Sequence, residues 1–134
     1  MEDGEHPGPE EAERSHMSPG AQRALDRIRE AALRYPEAHE EFPWGDQVIK
    51  VRAKIFVFLG AGTDGGFGMS VKLPHSHPMA LSQPFATPTG YGLGRAGWVT
   101  AQFGPNDEPP LDLLEEWLDE SYRAVAPKRL VSEL

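Results

Sequence analysis

The chain has 134 residues, no cysteine and a formal charge of −8, with 39% hydrophobic and 25% charged residues. This is the size and balance of one globular domain and excludes wholesale disorder. The missing cysteines exclude disulfides, a thiol nucleophile and thiolate zinc sites, and no run approaches the roughly 18 apolar residues of a membrane span.

Residues 1–17 read as a tail. Glu2, Asp3, Glu5, Glu10, Glu11 and Glu13 stand against Arg14 alone, so this stretch carries −5 of the total charge. Rich in Gly and Pro, it buries too little to offset its ordering entropy, and disorder is expected. The segment lacks the apolar core of a secretory signal, which makes a cytoplasmic protein the expectation. Residues 18–134, with 15 acidic and 12 basic residues, are expected to form a single domain.

Ser18-Pro19-Gly20 is a helix start, with Ser18 as N-cap and Pro19 in the first turn. Ala21, Ala24, Leu25, Ile28, Ala31, Ala32 and Tyr35 follow at helical spacing, and Pro36 ends the run. A loop over 36–45 leads to a strand at Asp46–Val51, a turn at Arg52-Ala53, and the β-prone run Lys54–Leu59. Gly60–Gly66 is a hairpin loop before a third strand, Phe67–Leu73. Pro74–Gln83 reads as a short helix, Tyr91–Gly94 as a short edge strand, and Trp98–Phe103 as a strand. Leu111, Leu114, Trp117, Leu118, Tyr122 and Val125 mark a last long helix, with Asp112 and Glu115 spaced as a capping box. Pro127 stops it, and Lys128–Val131 adds one turn. The order α-β-β-β-α-β-β-α predicts a two-layer α+β domain, with an antiparallel sheet of about five strands and helices packed on one face.

Few of the chemical motifs survive their context. Gly60-x-Gly62-x-x-Gly65 matches the dinucleotide fingerprint, but it leads into a strand instead of a helix, so a hairpin loop explains it. His75 and His77 lack the further ligands a metal needs, and His39 beside Glu40 and Glu41 has no nucleophile to serve. No enzyme, metal or cofactor is expected. The basic residues are more informative: Lys50, Arg52 and Lys54 surround the first hairpin, Lys72 ends the third strand, and Arg95 sits at the second hairpin. A gathered basic patch with an aromatic such as Trp44 or Trp98 suits nucleic acid.

Several segments then resemble the MmcQ/YjbR family. They are Tyr35-Pro36-Glu37-Ala38-His39-Glu40, Trp44-Gly45, Val48–Val51, Lys54-Ile55-Phe56, Val71-Lys72-Leu73-Pro74, Gly94-Arg95-x-Gly97-Trp98-Val99 and Ser121–Lys128. The resemblance runs over about residues 20–130 in the family's order. It implies a compact α+β fold of the kind likened to CyaY/frataxin and to type III secretion chaperones. It also implies DNA binding through a double-wing motif, with Lys50, Lys54, Lys72, Arg95 and Trp98 at the matching positions.

The leading expectation is a non-enzymatic domain that binds double-stranded DNA weakly and without sequence preference. Lys50, Arg52, Lys54, Lys72, Arg95 and Trp98 would form its site, and the acidic tail would compete for that patch. The alternative is a protein-interaction module using the open sheet face, because the Lys54–Leu59 run is apolar on both alternations. No membrane partner is expected.

Overall fold

The computed structural model describes residues 16–134. Helix α1 spans Pro19–Leu33, α2 His77–Ala80, α3 Leu111–Val125 and α4 Lys128–Val131. The strands are β1 Ala38–Glu41, β2 Gln47–Val51, β3 Lys54–Ala61, β4 Phe67–Lys72, β5 Ala86–Pro88 and β6 Trp98–Gln102. They form one antiparallel sheet in the order β1-β2-β3-β4-β6-β5. Helices α1 and α3 pack on it, giving the expected α+β fold. No helix among the described residues is long and apolar enough to cross a membrane.

The core lies between these helices and one face of the sheet. Leu25 and Ile28 of α1 and Leu114, Leu118 and Tyr122 of α3 are fully buried against Ile49, Val51, Phe56, Val57, Met69, Val71 and Val99. Each fully buried leucine contributes about 1.5–3 kcal/mol. Ser18 caps α1 as expected: its Oγ accepts from the Ala21 amide at 3.1 Å and donates to the Pro105 carbonyl at 2.7 Å.

Three expectations are corrected. The sheet has six strands, because Ala38–Glu41, expected as loop, pairs with β2 in register Ala38↔Val51 to Glu41↔Val48. The short edge strand beside β6 is Ala86–Pro88, whereas residues 93–96 form a 3-10 turn. Asp112 and Glu115 make no capping box: Pro110 precedes the helix without a side-chain cap, and both carboxylates bind Arg27 of α1, at 2.9 and 2.8 Å. The tail reading falls on residues 1–15, outside the described residues, except at its end, where Met17 packs against the core.

One irregularity organises the sheet centre. Ile49 pairs with Val57 but Lys50 pairs with Ile55, so Phe56 is an extra residue in β3. Such a bulge lets Phe56 and Val57 both turn toward the helices. It also interrupts the ladder with β4, whose pairing begins at Val57↔Val71. The fully buried Ser121 of α3 takes over: its hydroxyl donates to the Phe56 carbonyl at 2.5 Å and accepts from the Lys72 amide at 2.9 Å.

Candidate nucleic-acid interface

Side chains alternate across a strand, so the register sorts the two faces. Phe56 meets Tyr122 at 5.1 Å between ring centroids, which fixes the helix face. His39, Glu41, Val48, Lys50, Ile55, Phe58, Ser70, Lys72, Trp98 and Thr100 therefore belong to the opposite, open face. At one end of that face the cross-strand pairs run His39–Lys50–Ile55 and, past the bulge, Lys72–Trp98. Lys50 and Lys72 stand two strands apart, on the order of 10 Å. The β2–β3 turn, with Arg52 and then Lys54, projects from this same end. So does the β5–β6 connection, with Arg95 in its 3-10 turn. All five basic positions read from the sequence are thus brought to one end of the sheet.

Their electrostatic states differ. Lys50 is ion-paired to Glu41 at 3.1 Å, and Arg52 to Glu37 at 3.0 Å. Arg129 adds a longer contact to Glu37, 3.8 Å. The bond from Arg52 holds the Glu37 carboxyl below its ordinary range, and the bonds from Lys50 and then His39 do the same for Glu41. Lys54, Lys72 and Arg95 make no ion pair among the described residues. Lys54 and Arg95 are also exposed. Of the five, these three stand without a carboxylate partner among the described residues.

The aromatic position is different. Trp98 is only 9% exposed and packs edge-on against Phe58, 5.6 Å between centroids. Beside this pair Ser70, Thr100 and Thr89 form a hydroxyl ladder, with contacts of 2.7 and 2.9 Å. Sequence reasoning passed over Tyr91, which is fully exposed in the β5–β6 connection. Its flanking glycines in Gly90-Tyr91-Gly92 were the available signal for a projecting tip.

The apolar run that suggested external cover is divided by the bulge: Phe56 and Val57 face the helices, while Ile55 and Phe58 are half-buried on the open face, Phe58 against Trp98. Among the described residues the large exposed apolar ones, Phe42, Met79, Tyr91 and Leu134, include none from the strands. A cavity of about 520 Å³ lies on the helix side between α2 and α3. Its Glu120 is occupied by the amides of His75 and Ser76 and by the Ser76 hydroxyl. Among the described residues no group of His, Asp and Glu is placed to hold a metal. The glycine fingerprint is a hairpin connection: a Cβ on Gly62 would lie 2.4 Å from the Phe67 carbonyl oxygen and 2.5 Å from that of Phe103, so close backbone approach explains that glycine.

The YjbR family profile matches residues 33–124, from the end of α1 to near the end of α3. The chain belongs to the YjbR family. A solved structure, the Deinococcus radiodurans protein DR2400 with its DUF419 domain, is similar to this YjbR chain with a TM-score of 0.62. The identity is 23%, and the match covers 87% of this chain and 84% of that one, which shows a shared fold. A comparison with curated protein sequences finds no match. The YjbR match includes Lys50, Lys54, Lys72, Arg95 and Trp98, and so both projecting hairpins.

Proposed function

We propose that this YjbR domain is a binding domain, not an enzyme, and that it holds the phosphate backbone of double-stranded DNA at the basic end of its sheet. The observation that carries the reading is the placement of Lys54, Lys72 and Arg95 at one end with no ion pair among the described residues. Phosphate contacts position a protein on a duplex without reading its sequence, so affinity is modest and sequence-independent. Lys50 and Arg52, held by Glu41 and Glu37, contribute less, since a phosphate must displace a carboxylate to reach them.

Three neutralised phosphates give a slope of log K against log salt of about −2.7. Anisotropy of a labelled duplex between about 50 and 200 mM salt measures it. Replacing Lys54 and Lys72 together by Gln flattens the slope by about two units, whereas Lys50→Gln changes it by less than one. An equal slope in the double variant overturns the assignment.

A further inference from the structure

The end of the sheet that carries the free cations also carries an unusual aromatic. Tyr91 sits at φ 58°, a left-handed backbone that costs an L-residue free energy and that glycine adopts readily. Glycines flank it on both sides, yet the strained position is occupied by a tyrosine. A Cβ on Gly90 or Gly92 would meet nothing within 4 Å, so the tip stands clear of the body. The Tyr91 ring is fully exposed and has neither a hydrogen bond nor a ring contact among the described residues.

The base of this tip is firmly held. The Leu93 amide bonds the Gly90 carbonyl at 3.1 Å, Gly94 bonds Thr89 at 3.0 Å, and Arg95 bonds Gly92 at 3.2 Å. Thr89 in turn donates to the Trp98 carbonyl at 3.1 Å, and Leu73, next to Lys72, donates to Gly97 at 2.8 Å. Tyr91 therefore projects from a hydrogen-bonded backbone base, near Arg95 in the sequence and close to the strand that bears Lys72. Strained residues of this kind collect where a surrounding structure holds them for use. Two more of the four non-glycine residues with positive φ among the described residues, Glu37 and Arg52, lie at this same end.

We propose that Tyr91 is a base-stacking residue, and that the preferred ligand is DNA with unpaired bases next to a duplex. This rests on the phosphate-binding reading above and adds the substrate class to it. A flat ring beside unpaired cations is how proteins hold single-stranded nucleic acid: phosphates meet the cations and a base meets the ring. In a closed duplex the bases are stacked on one another and present no free face to Tyr91. The buried Trp98 cannot serve in this way.

The test compares a blunt duplex with the same duplex carrying a single-stranded overhang, by anisotropy at two salt concentrations. The proteins are the wild-type chain, Tyr91→Ala, Tyr91→Phe and the Lys54/Lys72 double Gln variant. The wild type should bind the overhang duplex more tightly. Tyr91→Ala should lose about tenfold on the overhang and nothing on the blunt duplex, with an unchanged salt slope, because stacking releases no counterions. Tyr91→Phe should keep wild-type affinity. Tyr91 is fully exposed and its side chain makes no hydrogen bond or ring contact among the described residues, so melting curves should be alike. If Tyr91→Ala binds both ligands as the wild type does while the double Gln variant is weakened, the stacking role fails and phosphate binding stands. If the wild type binds neither ligand, both readings fall together.

Discussion

Ser121 does at one atom what a strand pair does elsewhere. The bulge at Phe56 leaves the Phe56 carbonyl and the Lys72 amide without their ladder partners, deep under α3. A buried backbone group left unpaired costs as much as a lost hydrogen bond, and a serine hydroxyl both donates and accepts. Ser121 uses both capacities, at 2.5 and 2.9 Å. Ser121→Ala orphans the two groups together, so a loss of about 1–3 kcal/mol is expected in urea denaturation, although only one oxygen is removed. A loss below about 0.5 kcal/mol, the scale of an ordinary surface change, would show that the sheet closes over the gap. The same bond fixes the backbone of Lys72, so a residue that touches no ligand sets the position of one proposed to do so.

At the scale of elements, charged groups decide two placements that hydrophobic pattern does not reach. Strand β1, Ala-His-Glu-Glu, has little β-propensity, which is why the sequence reads as loop there. It is held at the sheet edge because Glu40 accepts a bidentate pair of bonds from Arg29 of α1, at 2.7 and 2.9 Å, and a bond of 2.6 Å from Gln47 of β2. The long elements were legible because each carries its own signal: α1 and α3 have full apolar stripes, β2 and β3 are dense in Val, Ile and Phe, and β4 and β6 place aromatic and β-branched residues between turn glycines. The basic residues were legible as hairpin neighbours, but Glu37 and Glu41 as their partners depended on β1 existing. Tyr91 was missed because exposure is a tertiary property, and a lone tyrosine among glycines has no period.

Helix α2 depends on a carboxylate in a similar way. Glu120 of α3 accepts the amides of His75 and Ser76 at 2.9 and 3.0 Å and the Ser76 hydroxyl at 2.5 Å. Burial pushes its carboxyl up, but the bonds from Ser76 and His75 outweigh that and hold it below the ordinary 4.5. A carboxyl depressed on folding contributes stability above its unfolded value and loses it as pH falls through the folded one. Glu120→Gln should therefore be less stable than the wild type at pH 7. The gap in urea midpoint should close as the pH is lowered below about 4.5, where the wild-type carboxylate takes up its proton. A gap that stays constant down to pH 3 would mean that shape, not charge, makes Glu120 useful.

At the scale of the whole molecule, the sign of the net charge opposes the proposed ligand, and its distribution relieves that opposition. Residues 1–15 carry six acids and one base, −5 of the −8. Residue 18 is tied by its amide to Gly65, 2.9 Å, in the β3–β4 connection at the far end of the sheet from the cations. The eight residues of β3 separate the two ends by about 26 Å at about 3.3 Å per residue. A chain of fifteen residues spans at most about 50 Å, more than that separation, so under the proposed function the acids of this segment would compete with phosphate at the basic end. The Debye length is about 30 Å at 0.01 M salt and about 10 Å at 0.1 M, so this competition belongs to low salt. Removing residues 1–15 should strengthen duplex binding several-fold near 0.01 M, with little change above about 0.15 M, so the truncated chain has the steeper salt dependence. Titrating both forms against one labelled duplex over that range measures it. Parallel curves that differ by a constant factor would point to a steric effect of the segment, and coincident curves to no competition at all.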